Sequence, residues 1–196
     1  MRTPLLLDQV AQVIRARRTH KSFTGEPVDR AQIAELLDLA RWAPNHRLSE
    51  PWRFTVIEHA AIPRLIAFLR SAPEIIAFPD PAKGAAKLAK LLERLPTAGA
   101  LIQVTWMRQL ETAIDFEDHA AAAAAVQNLL LAASAAGLGS YWSTSPALTH
   151  PLTLGWCGID TDKQGFLGCI WLGHPADQPQ APTRRPLDER VRWIPA

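Results

Sequence analysis

Long apolar runs are missing from this 196-residue sequence. The longest, Ala120 to Val126, is alanine-rich and falls well short of the roughly 20 residues that a membrane span needs. The leucines ahead of Asp8 are too few for the apolar core of a secretion signal. Cysteine is scarce as well: Cys157 and Cys169 are the two present, with no CxxC or Cys/His ligand spacing around them. That excludes a disulfide framework, gives no support to a zinc site, and leads us to expect a reducing, cytoplasmic setting. An excess of one charge is absent too. Twenty-one basic side chains against 19 acidic ones leave a net charge of +2, so a polybasic nucleic-acid binder does not describe the chain as a whole.

Several chemical signatures are missing. No GxGxxG or Walker loop occurs, so neither a Rossmann dinucleotide site nor a P-loop is supported. There is no GxSxG elbow. His46, His59, His119, His150 and His174 lie in unrelated contexts without HxxxH or HxH spacing, and read as surface or loop residues. Cys157 and Cys169 read as buried packing. A chain whose side chains advertise so little chemistry is a candidate for a cofactor that supplies it.

What is present describes one globular domain over residues 1–196, with 48% hydrophobic and 20% charged residues. Leu5 to Arg18 reads as a helix with Leu6, Val10, Val13 and Ile14 on one face. Asp29 can cap a second helix whose apolar stripe is Ile33, Leu36, Leu37 and Ala40. The loop APNHRLSEP follows, then a strand at Arg53 to Glu58, a helix from Ala61 to Leu69, and a proline-broken connection from Ser71 to Lys83. A short basic helix spans Ala82 to Leu95. Ala100 to Met107 reads as a buried strand, and Phe116 to Ala136 as the longest helix, ended by Gly137. Further strands are expected at GLGSYWSTSP and GFLGCIWLG. Helices and strands alternate irregularly, which is α+β rather than regular βαβ winding. The seven tryptophans read first as packing, Trp42 among them. The alanine-rich helix is too apolar for a solvated surface and belongs in a core or against a partner chain.

One segment is unusual. Within IRARRTHKSF (Ile14 to Phe23), Arg15, Arg17, Arg18, His20 and Lys21 crowd together where the first helix closes. Cations there complement the helix dipole. They could equally hold a nucleic acid, or grip a small anion through arginine forks, the Thr19 hydroxyl and backbone N–H groups.

The whole series RRTHKSF, APNHRLSEPWRF, GLGSYWSTSP and RRPLDERVRW resembles the nitroreductase superfamily, and specifically its small, minimal members. The four signatures stand in the family's order and, with their flanking helices, span nearly the whole chain. The resemblance implies an α+β fold around a mixed or antiparallel sheet of about four or five strands. It implies an intertwined homodimer with non-covalent FMN at the interface. It places Arg17, Arg18 and Thr19 on the ribityl phosphate and polar ring edge, and Lys21 near N1 and the C2 carbonyl. Arg15 and His20 are left facing solvent. Pro44, Asn45 and His46 would approach the flavin from the partner, while Pro51, Trp52 and Phe54 seat the loop. Leu48 stands where larger members carry an asparagine. Trp142, Ser143 and Thr144 would lie along the flavin with backbone N–H groups toward N5, and Arg184 or Arg185 would reach the phosphate. The tail, about 178–196, would embrace the other subunit. The implied activity is ping-pong electron transfer from NADH or NADPH to nitroaromatic, quinone or related acceptors. Dehalogenation, enone reduction and flavin fragmentation on the same fold are its alternatives, as is a non-catalytic flavin-binding or nucleic-acid-binding protein.

Overall fold

The computed structural model describes residues 7–76 and 80–195. Its centre is a four-stranded antiparallel sheet in the order β1-β2-β4-β3, built from β1 (Trp52–Glu58), β2 (Ala100–Met107), β3 (Gly139–Ser143) and β4 (Gln164–Gly173). β2 and β4 occupy the middle and are covered on both faces, which explains their nearly unbroken apolar sequences. Side chains alternate between two cores. Ala100, Ile102, Val104, Ile170 and Leu172 point into one, packed against α2 (Arg30–Ala40) and α5 (Thr112–Ala135). Leu101, Cys169 and Trp171 point into the other, beneath α3 (Ile62–Ser71), α4 (Pro81–Arg94) and the short α6 (Pro146–Thr149).

Local chemistry sets the helix ends. Asp29 caps α2 by accepting from the Ala31 N–H at 3.1 Å, and the expected stripe of Ile33, Leu36 and Ala40 is buried with Leu37 beside it. α5 closes with Gly137 N–H donating to Ser134 O and Leu138 N–H to Ala133 O, so two otherwise unpaired carbonyls are satisfied. A second short helix, α7 (Pro151–Trp156), follows α6 and was not foreseen. The described parts of the connection from Ser71 to Lys83 are largely helical, despite its prolines. It contains the end of α3, a single 3-10 turn at Pro73–Ile76 and the start of α4, where Asp80 accepts from Lys83 N–H; residues 77–79 lie outside the described residues.

The alanine-rich α5 takes the first of its two expected placements, burying eight residues from Asp118 to Ala133 in the core of its own chain, so its composition does not by itself argue for a partner. The first helix, α1 (Leu7–Ala16), buries none of its residues: Val10 and Ile14 are exposed and Val13 is half-buried, while Leu5 and Leu6 lie outside the described residues. Trp42 is 75% exposed instead of packed, because it follows the end of α2 on the turn before the APNH loop. Trp193 and Ile194 on the tail are also exposed. No helix among the described residues is long and apolar enough to cross a membrane.

The two thiols are held in their packing role. Burial pushes Cys157 up to about 11, and Cys169, fully buried beside it, higher still. Fewer than about one Cys157 in a thousand is then thiolate at pH 7.5. The folded protein is expected to leave a colorimetric disulfide reagent unreacted, while the urea-unfolded chain titrates as two thiols.

Candidate flavin site

The basic segment is joined to β3. Thr19 forms a parallel bridge with Ser140, and the His20 N–H donates to the Ser140 carbonyl at 3.1 Å. Gly139 makes this approach possible, since a Cβ there would stand 2.9 Å from the His20 Cβ. His20 is therefore not a solvent-facing residue. It is half-buried, and its Nδ1 is enclosed without a partner among the described residues. The first and third signatures, far apart in sequence, thus form one surface.

Within that surface the cations differ. Arg18 is turned back on the helix end, its Nη1 donating to the carbonyls of Arg15 at 2.5 Å and Arg17 at 3.0 Å. Arg17 and Lys21 have no ion pair among the described residues, and Thr19 is exposed. Across from them, Ser143 is buried and accepts from Tyr141 Oη at 2.9 Å and from the Ser145 N–H at 3.3 Å. Trp142 lies over β4 with its Nε1 donating to Leu167 O at 3.1 Å, and Thr144 at the strand end is exposed.

The second signature sits elsewhere. Pro44, Asn45 and His46 line a shallow concavity with Glu117, Ala120, Ala121 and Ala124, on the N-terminal half of α5. About 24 Å of helix separate Ala120 from Ala136, where the chain turns toward β3. The Asn45 amide is occupied in shaping the loop: Nδ2 donates to Ala43 O and Oδ1 accepts from Glu50 N–H at 3.0 Å. His46 Nδ1 is hydrogen-bonded to Glu117 Oε2. Ser49 Oγ donates to the buried Asp118 at 2.7 Å. These bonds hold Arg47, Leu48 and Glu50 at φ values of 53°, 54° and 42°, a left-handed run that side-chain-bearing residues adopt at a cost of roughly 1–3 kcal/mol each. Leu48, exposed at this strained turn, cannot be read as a simple replacement for an amide.

Arg184 and Arg185 are exposed, in a stretch from 176 to 195 that buries none of its residues. Within one chain the first and third signatures are bridged, the second lies against α5, and the fourth is exposed.

Sequence reasoning missed Arg94. Its guanidinium lies over the Tyr141 and Trp171 rings, and Nη2 donates to the Lys21 carbonyl at 3.1 Å, tying α4 to the basic segment. The alternation of lysine and leucine along α4 was the available signal, but it reads equally well as a solvated face. The arrangement offers cations, hydroxyls and N–H groups with no carboxylate among the residues just named, and it leaves His20 Nδ1 unpartnered. That donor set fits a phosphorylated, acceptor-rich ring such as a flavin nucleotide. Among the described residues, no cluster of three His, Cys, Asp or Glu side chains could hold a metal.

Comparison with known proteins gives the same direction. Residues 14–174 match the model of the nitroreductase family. The chain is 32% identical over 184 residues to YfhC of Bacillus subtilis strain 168, a candidate NAD(P)H nitroreductase, covering 91% of this chain and 90% of that one. The crystal structure of a nitroreductase-like family protein from Bacillus cereus superposes with a TM-score of 0.84 at 28% identity, covering 100% of both chains. A candidate nitroreductase of Desulfovibrio desulfuricans, solved in complex with FMN, gives a TM-score of 0.73 at 28% identity, over 100% of this chain and 99% of the other. The chain belongs to the nitroreductase family of oxidoreductases.

Proposed function

We propose that the protein is an FMN-dependent oxidoreductase that takes electrons from NADH or NADPH and passes them to nitroaromatic, quinone or related acceptors. The observation that supports this reading is the bridge between Thr19 and Ser140, which joins the segment of Arg17 and Lys21, without ion pairs among the described residues, to the strand leading into Trp142–Thr144. The FMN complex of the Desulfovibrio relative supports the choice of cofactor. Bound FMN would supply hydride acceptance and return of the electrons to a second substrate at the same ring. The residues' part is to hold and tune it. Arg17 and Thr19 take the phosphate, with Arg18 fixing the helix end behind them. Lys21 places a cation at the pyrimidine edge, where it offsets the negative charge gained on reduction. Backbone N–H groups of Ser143 and Thr144 face the ring centre.

The reading includes a homodimer. Pro44, Asn45, His46 and one of Arg184 and Arg185 would complete the site from the partner, through the tail at about 178–196. The support is that α1, Trp42, Phe116, Trp193 and Ile194 leave apolar surface exposed on the single chain.

The deciding experiment is purification followed by a visible spectrum, steady-state kinetics and sedimentation. A yellow dimer with parallel double-reciprocal lines for NAD(P)H and a quinone is the expected result. A colourless protein that takes up no added FMN would refute the reading.

A further inference from the structure

Beside the basic segment lies a cavity of about 210 Å³, lined by Lys87, Lys90 and Arg94 of α4, by Tyr141 and Ser145, and by Trp171. Positions 87, 90 and 94 recur at helical spacing, so α4 turns one cationic face toward it. No acidic side chain lines it. Trp171 is buried, and its Nε1–H has no acceptor among the described residues. A buried indole N–H without a partner is uncommon and points to an acceptor not supplied by the chain itself. Tyr141 directs its own proton to Ser143 Oγ. Tyr141 and Trp171, packed on one another with centroids 5.9 Å apart and covered by the Arg94 guanidinium, form one aromatic wall. The cavity's size is below the roughly 300 Å³ from which sites for whole drug-sized ligands begin, so it suits a functional group with part of a ring.

We infer that this cavity is a carboxylate-receiving subsite that gives the enzyme a preference for aromatic acceptors bearing an anionic substituent. A carboxylate only accepts hydrogen bonds, so it matches the cationic donors of α4, while the acceptor's own ring packs against the aromatic wall. Lys90 and Arg94 supply the charge, and Trp171, whose N–H has no acceptor among the described residues, stands in the wall where a bound ring would alter its surroundings. The inference rests on the flavoenzyme reading for its position, because Arg94 ties the cavity to Lys21 and hence to the ring's pyrimidine edge. Residues of α4 then act in substrate selection, a role separate from holding the cofactor.

The test compares 4-nitrobenzoate with nitrobenzene, which have the same ring and differ in charge, on the FMN-loaded enzyme. The ratio of their kcat/KM values should favour the acid in the wild type and fall about tenfold in Lys90→Gln, a surface substitution compatible with folding. A second measurement needs no turnover. Benzoate titrated into the oxidised, FMN-loaded protein should shift the indole N–H resonance of Trp171, identified by its loss in Trp171→Phe. Equal ratios in wild type and variant, or an unmoved Trp171 resonance, would overturn the inference. So would a Lys90→Gln protein with weakened FMN binding and both acceptors reduced alike, since the cavity would then belong to the cofactor. A wild-type chain that takes up no FMN would sink the flavoenzyme reading instead. The benzoate titration on that flavin-free protein would still decide the cavity.

Discussion

Replacing Arg17 with alanine should weaken FMN binding about a hundredfold, roughly 2.7 kcal/mol. Arg17 ends the first helix, its N–H donating to Val13 O at 3.1 Å, and its side chain is half-buried without an ion pair among the described residues. Charge-assisted bonds to a phosphate contribute about 1.5–3 kcal/mol. Arg18 is the instructive contrast. Its Nη1 already serves the Arg15 and Arg17 carbonyls, so Arg18→Ala should fray the helix end and reduce FMN affinity by a few-fold at most. Arg17→Lys keeps the charge, loses the planar fork, and should fall between the two at about tenfold. Quenching of flavin fluorescence during titration measures all three. The thermal transition of the flavin-free protein should stay near the wild-type value for Arg17→Ala, because no intramolecular partner is lost. An unchanged dissociation constant in that variant would remove the phosphate from this end of α1.

The contrast between neighbouring arginines shows where sequence reading reaches its limit. Periodicity located α2, and the Asp29 cap, the long α5 and the buried β2 and β4 were all legible, because each is determined by short-range spacing and by coverage on both faces. The proline-rich connection before α4 reads as loop because prolines stop helices, yet one of them, Pro81, begins one. His20 lies in a basic, solvent-like context, and only the bridge to Ser140 encloses it. Asn45 has the side chain of a ligand, while the fold uses its amide to hold a left-handed turn. The cationic face of α4 shows the same limit. Lysines at helical spacing on an exposed helix say nothing of what lies opposite, and it is the tertiary position of Trp171 and Tyr141 that turns that face into a cavity wall. Short-range patterns thus gave the elements. The roles of particular polar side chains depend on contacts between residues far apart in the chain, as between His20 and Ser140.

The other large effect is expected from adding one methyl group to Gly168. Trp142 pairs with Ile170 across the β3–β4 ladder, so Gly168 is its diagonal neighbour on the same face. The indole uses the space that glycine leaves: a Cβ at position 168 would stand 1.9 Å from Trp142 Nε1 and 2.4 Å from its Cδ1. The central strand β4 cannot yield by that much, whereas the indole, 37% exposed on the edge strand β3, can swing outward. Gly168→Ala should therefore eject the indole, break its 3.1 Å bond to Leu167 O and cost about 2–4 kcal/mol, from overpacking and the lost hydrogen bond together. At roughly 2–4 °C per kcal/mol for a chain of this size, the melting temperature should fall by about 4–16 °C. The origin of the loss is testable by a double-mutant cycle. With Trp142→Ala already in place the added methyl group meets no ring, and the further cost of Gly168→Ala should drop below about 0.5 kcal/mol, a coupling well above the additive limit for independent sites. If both backgrounds lose the same stability, the steric account is wrong and the strand itself resists the methyl group. The same displacement reaches the cofactor. Trp142 is continuous with Ser143 and Thr144, whose N–H groups face the ring in the proposed site, so FMN affinity should fall in the single variant even at temperatures where it remains folded.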